Sequence, residues 1–154
     1  MSDIVDQETR SRMMSGIGAK NTKPELIIRK ALHRRGFRYK IHDKSLPGKP
    51  DLVLPRHRAV IFVNGCFWHG HDCSLFQWPK TREEFWRDKI GSNQERDQRN
   101  LNECVKQGWR VLTISECALK GSKKLGIEQT LDQTVRWILS DDTSKAITES
   151  KEDI

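Results

Sequence analysis

Ala59-Val-Ile-Phe-Val63 is an unbroken apolar run of strand length in a chain that elsewhere mixes charge into nearly every segment. A strand apolar on both faces needs cover on both, so the run predicts a central buried strand with helices packed around its sheet. Arg110-Val-Leu-Thr-Ile114 supplies a second such strand. Asp51-Leu-Val-Leu54 supplies a short third, stopped by Pro55. Phe37, Tyr39 and Ile41 alternate with basic residues, the pattern of a half-buried strand. Between them Ser45 to Pro50 reads as a turn-rich loop.

Helix signals lie on either side of these strands. Thr22 as cap, Pro24 in the first turn and Glu25 completing a capping box start a helix that Gly36 ends. Leu26, Ile27, Ala31 and Leu32 give it an apolar face. Thr81–Glu84 and Ser92–Glu95 repeat the capping-box pattern, predicting helices over 82–89 and 93–107, the second closed by Gly108. A last helix is expected over 127–139. Cys104 shares the inward register of Leu101, and Trp109 and Trp137 also read as core. The sum is an α/β fold, a small mixed sheet flanked by helices. At 154 residues it is one domain: an arm over 1–20, a folded unit over 21–139, and an acidic, Ser/Thr-rich tail over 140–154 expected to be disordered.

Charge narrows the partner. The net charge is +7, and residues 1–58 hold 14 Lys/Arg against 6 Asp/Glu. That basic third suits a polyanion such as nucleic acid, though a solvated basic surface would look the same. No apolar run approaches the ~18–20 residues of a membrane span, and Met1 to Arg12 lacks the apolar core of a secretory signal. A cytoplasmic protein is expected.

Two constellations carry chemistry. Cys66-x4-His71-x-Cys73 places three soft ligands within eight residues. Cys117 follows the 110–114 strand as Cys66 follows the 59–63 strand, so pairing of those strands would bring all four together. Ligand type and spacing favour structural zinc, with buried free thiols as the alternative. The second is Asp51 opening a strand beside another buried strand, the arrangement that holds magnesium in restriction-type nuclease cores. The acidic-x-Lys expected on the neighbouring strand is replaced by Phe62-Val63-Asn64. Alone, Asp51 is also explained as a turn residue after Pro50.

Taken together, Pro47-Gly-Lys-Pro-Asp51, Asn64-Gly-Cys-Phe-Trp-His69-Gly-His-Asp-Cys73, Thr81-Arg-x-Glu-Phe-Trp86 and Asn93-x-Glu-Arg-Asp97, in that order, resemble the very-short-patch-repair (Vsr) mismatch endonucleases of bacteria. The resemblance runs from about Thr9 to Cys117. It implies a restriction-endonuclease-like core with structural zinc and catalytic magnesium, nicking double-stranded DNA 5′ to the thymine of a T:G mismatch left by deaminated 5-methylcytosine. Asp51 matches the magnesium ligand, and Val63 would add its backbone carbonyl. His69 matches the catalytic histidine, partnered by Glu25, whose capping role is the plainer explanation. Asn64 stands where some relatives carry histidine, and Asp97 would orient it or a water. Phe67, Trp68 and Trp86 match the aromatics wedged into the duplex, with Met14 and Ile17 of the arm pressing from the minor-groove side. A lopsided wedge suits a monomer. A zinc-containing DNA-binding module, or a dimeric double-strand nuclease on the same core, are the competing readings. Convergence of Asp51, His69 and Glu25 on one phosphate-sized site would separate enzyme from binding module.

Overall fold

The structure is a computed structural model that describes residues 22–150. Helix α1 (Lys23–Arg34) leads into β1 (Lys40–Ile41), β2 (Leu52–Leu54) and β3 (Ala59–Asn64). Helix α2 (Glu83–Lys106) then precedes β4 (Arg110–Ser115), α3 (Ile127–Ile138) and β5 (Ser144–Ile147). The five strands lie in chain order. β2 pairs antiparallel with both β1 and β3, while β3, β4 and β5 are parallel, with Val63 opposite Ile114 and Ile114 opposite Ile147. The mixed sheet is as expected, and β3 is its centre.

Strand alternation divides the interior in two. Ala59, Ile61 and Val63 of β3 face one core with Leu52, Leu54, Leu112 and Ile114, covered by Ile28 and Leu32 of α1 and by Leu131, Trp137 and Ile138 of α3. Val60 turns the other way with Val53 and Val111 onto Cys104, Leu101 and Val105 of α2. This is why the run 59–63 could be apolar throughout. Trp109 packs against the second core and Trp137 is buried in the first. Arg110 ties sheet to helix: its guanidinium donates to the carbonyls of Trp137, Ile138 and His57 at 3.1, 2.8 and 2.9 Å. It thereby satisfies carbonyls that the end of α3 leaves unpaired.

Four local expectations need correction. The helices expected over 82–89 and 93–107 are one continuous α2, because Gly91 and Ser92 stay helical. A single interior glycine costs only ~1 kcal/mol relative to alanine, which burial of Ile90 and Cys104 outweighs. Neither Thr81 nor Ser92 caps it; the residue before the helix, Arg82, sits in the left-handed region with no side-chain cap. The strand around Phe37 shrinks to Lys40–Ile41, with Ile41 exposed, while Phe37 and Tyr39 pack against the core from the connection. Part of the tail expected to be disordered is β5, whose Ile147 is buried beside Ile114. Its acidic residues flank the strand, so composition averaged over 140–154 hid one apolar anchor.

Candidate active site and metal centre

The carboxyl end of β3 is where the chemistry-bearing residues gather. Asp51, just before β2, accepts a 2.6 Å hydrogen bond at Oδ2 from the backbone N–H of Val63. Behind it lies Glu25, buried in the first turn of α1. Glu25, His42 and Asp51 bring their ligand atoms within 4.8 Å of one another. His42 Nε2 is 2.7 Å from Glu25 Oε2, and Arg29 donates to the same oxygen at 3.1 Å. Burial pushes the Asp51 carboxyl up to about 8, and the neighbouring Glu25 charge pushes the same way against the Val63 N–H. Thr22 does accept from the Glu25 N–H at 3.4 Å. The Glu25 side chain, however, turns inward and serves this cluster.

His69 sits across the cleft from Asp51, in the loop after β3. Its Nδ1 is hydrogen-bonded to Asp97 of α2. The expected pairing of His69 with Glu25 is therefore corrected: Asp97 holds the imidazole, and Glu25 pairs with His42. The reason is topological, since Asp97 on α2 faces the loop while Glu25 on α1 lies on the opposite side of the sheet. Helix α2 also fixes the loop backbone, with Asn93 donating to the Trp68 carbonyl at 2.9 Å and Gln94 to that of Gly70 at 3.1 Å. Gly70 takes φ +58°, and a Cβ there would lie 2.5 Å from Ile90 and Gln94. The loop can approach α2 this closely only with glycine between the two histidines.

Asp51, Val63, Asn64, His69 and Asp97 line one open cleft of about 860 Å³, together with the cations Lys44, Lys49 and Arg96. Glu25 is not among the lining residues. Reading the sequence missed His42, whose only signal is a histidine following a short strand.

The second centre is built by the same loop. Cys66, His71, Cys73 and Cys117 bring one ligand atom each within 4.8 Å. His71 Nδ1 is 3.7 Å from Cys66 Sγ and 3.5 Å from Cys117 Sγ. Tetrahedral zinc, with Zn–S about 2.3 Å and Zn–N about 2.0 Å, requires ligand separations of roughly 3.5–3.8 Å. Parallel pairing of β3 with β4, Asn64 opposite Ser115, brings Cys117 to Cys66. Backbone N–H groups of Cys117 and Glu149 reach Cys66 Sγ and Cys117 Sγ, each at 3.3 Å. Burial pushes both thiols up, Cys117 to about 11, so their thiolate forms need a cation. Cys104 is buried in the core, as its register indicated.

Between the two centres the loop carries its aromatic residues. Phe67 lies 5.2 Å from Trp68 and 5.3 Å from Trp86, ring centre to ring centre, and Trp68 lies 6.0 Å from Trp86. The cluster continues through Phe76 to Trp78, and through Trp86 to Phe85, residues the sequence did not single out. Met14 and Ile17 lie outside the described residues.

Fold and site together present carboxylate and imidazole from a mixed α/β sheet in one cation-lined cleft. A family model described as DNA mismatch endonuclease Vsr matches residues 2–75. The chain is 44% identical over 147 residues to the DNA mismatch endonuclease Vsr of Escherichia coli K12, covering 96% of this chain and 94% of that protein. It is 42% identical to the type II nicking enzyme V.XorIIP of Xanthomonas oryzae, covering 86% and 98%. It is 44% identical to the type II nicking enzyme V.NmeAIP of Neisseria meningitidis, covering 90% and 97%. The chain belongs to the DNA mismatch endonuclease Vsr family, a family of DNA endonucleases.

Proposed function

We propose that this chain nicks one strand of double-stranded DNA 5′ to the thymine of a T:G mismatch arising from deaminated 5-methylcytosine, by magnesium-dependent phosphodiester hydrolysis that initiates very short patch repair. The observation that carries this reading is the convergence of Asp51, Val63, Asn64, His69 and Asp97 on one cleft. On this reading the sheet and its helices are a restriction-type core, acting as a monomer in the bacterial cytoplasm.

The donor set fits a hard dication. Asp51 offers a carboxylate crowded by Glu25, a repulsion that a bound cation relieves. A strand residue presents its N–H and C=O to the same side. Val63 gives its N–H to Asp51, so its carbonyl faces that side too. Asp51 and the Val63 carbonyl would hold magnesium, which supplies positive charge to the phosphate being attacked. The chain's own residues do the rest. His69, with Nδ1 fixed by Asp97, presents Nε2 to take the proton of the attacking water. Asn64 offers a hydrogen bond to the phosphate without titrating. Lys44, Lys49 and Arg96 neutralise the backbone drawn into the cleft. Glu25, locked by His42 and Arg29, braces Asp51 from behind.

Zinc suits the Cys66–His71–Cys73–Cys117 cluster by ligand type and separation, and four protein ligands make it structural. Since His69 and Phe67-Trp68 lie between two of those ligands, the metal fixes base and wedge together. Phe67, Trp68 and Trp86 enter the stack where a wobble pair has already weakened it. The test is nicking of duplexes differing only in T:G, T:A or C:G at one position. Cleavage confined to T:G, 5′ to the thymine and requiring magnesium, is expected. Equal nicking of all three would overturn the specificity, and nicking in excess chelator the magnesium role.

A further inference from the structure

The chain continues in an ordered path past the end of β5 at Ile147. Past β5, Thr148 lines the catalytic cleft, and the next residue reaches the metal cluster. Glu149 makes contact in two ways. Its backbone N–H donates to Cys117 Sγ at 3.3 Å. Its carboxylate accepts from the Ser74 N–H at 2.9 Å through Oε1 and from the Ser74 hydroxyl through Oε2. Ser74 directly follows Cys73, so the carboxylate grips the outgoing end of the loop that supplies three of the four ligands. Ser150 then donates its N–H to the Lys123 carbonyl at 2.8 Å, pinning the segment to the connection beyond Cys117.

These bonds cross the cluster from one ligand strand to the other. Cys117 comes from the end of β4, whereas Cys66, His71 and Cys73 come from the loop after β3. Cys73 itself lies in an irregular loop, where the Phe76 N–H bonds its carbonyl at 3.3 Å. Glu149 joins Ser74 and Cys117 through one residue. A bidentate carboxylate on a backbone N–H and a hydroxyl is a directional restraint, and such outer partners orient the ligands of a metal site.

We propose that Glu149 is a positioning residue of the metal centre, and that β5 with its following turn is a clasp that holds the Cys66–His71–Cys73–Cys117 site together. This rests on the cluster being a zinc site. Through the loop, the clasp also sets the positions of His69, Phe67 and Trp68.

The test measures zinc release from the intact protein into excess chelating indicator dye, with zinc content determined first. Wild type should carry one zinc and release it slowly. Glu149→Ala should fold and load zinc, yet release it about 10–100-fold faster, the usual cost of losing an outer partner. Ser74→Ala removes the hydroxyl half of the grip and should show a smaller acceleration. The double variant should be no faster than Glu149→Ala alone. Glu149→Gln, which keeps an acceptor for Ser74, should recover part of the loss. Should Glu149→Ala fail to fold, Ser74→Ala and Glu149→Gln carry the same comparison. Wild type without zinc would refute the metal reading itself. Zinc-loaded wild type and variants with equal release rates would refute the clasp alone.

Discussion

Asp51 is a buried carboxyl crowded by Glu25 and held by the Val63 N–H, so its protonation is tied to the stability of the fold. Its carboxyl, pushed up to about 8 by burial and Glu25, is protonated in the folded, magnesium-free protein over a range where an unfolded aspartate, with an ordinary value near 3.9, is already ionised. A raised folded value means that this stabilising contribution is full below pH ~4 and is lost as pH rises through about 8. Asp51→Asn keeps an acceptor for the Val63 N–H and removes the buried charge. In magnesium-free buffer the variant should melt above wild type at pH 8, by about 3 °C or more, with a smaller gap at pH 5. Melting curves at the two pH values check this; a gap independent of pH would show that Asp51 is not strained. At this scale the sequence was a mixed guide. Asp51, Asn64, His69 and Asp97 were legible because their motifs are contiguous or lie on a helix of clear register. The partner of His69 was not, because choosing Asp97 over Glu25 depends on which side of the sheet each helix packs. His42 was invisible for the same reason.

Helix α2 is the element on which both centres depend, since it holds the loop at Trp68 and Gly70 and supplies Asp97. Its length was hidden by Gly91-Ser92, a local stop signal overridden by packing of Ile90 and Cys104. That conflict leaves slack to remove. A Cβ at Gly91 meets nothing within 4 Å, so Gly91→Ala should stabilise the protein by ~0.5–1 kcal/mol without altering nicking. Gly70→Ala should do the opposite, because its Cβ would strike Ile90 and Gln94 and its φ is left-handed. A loss of about 1–3 kcal/mol and weakened metal retention are expected. Urea unfolding of both variants measures the contrast, and equal effects would mean that the loop does not need its close approach to α2. β5 escaped notice on another ground: its partner is β4, and a single apolar anchor, Ile147, among polar and charged residues has no periodicity to read.

Across the whole molecule, the loop after β3 joins the cleft, the aromatic cluster and the cysteine-histidine centre, which the proposed function assigns to hydrolysis, recognition and rigidity. Stripping the metal should therefore unfold the domain rather than only slow it, and reloading should release protons as thiols become thiolates. Circular dichroism with a pH indicator follows both, and a folded, proton-silent apo form would contradict a structural role. Recognition separates from chemistry in Trp68→Ala, which should lose ~1–3 kcal/mol of binding to T:G duplexes and much less to matched DNA. An equal loss on both would return the ring to a packing role.

Whether hydrolysis takes place in this cleft is measured by single-turnover nicking of a T:G duplex at saturating enzyme. Asp51→Asn should leave no measurable cleavage, and His69→Ala should slow it on the order of 10²–10⁴-fold. Both should bind the duplex as wild type does, because Lys44, Lys49 and Arg96 remain. Cleavage at the wild-type rate by either variant would place the chemistry elsewhere on the molecule.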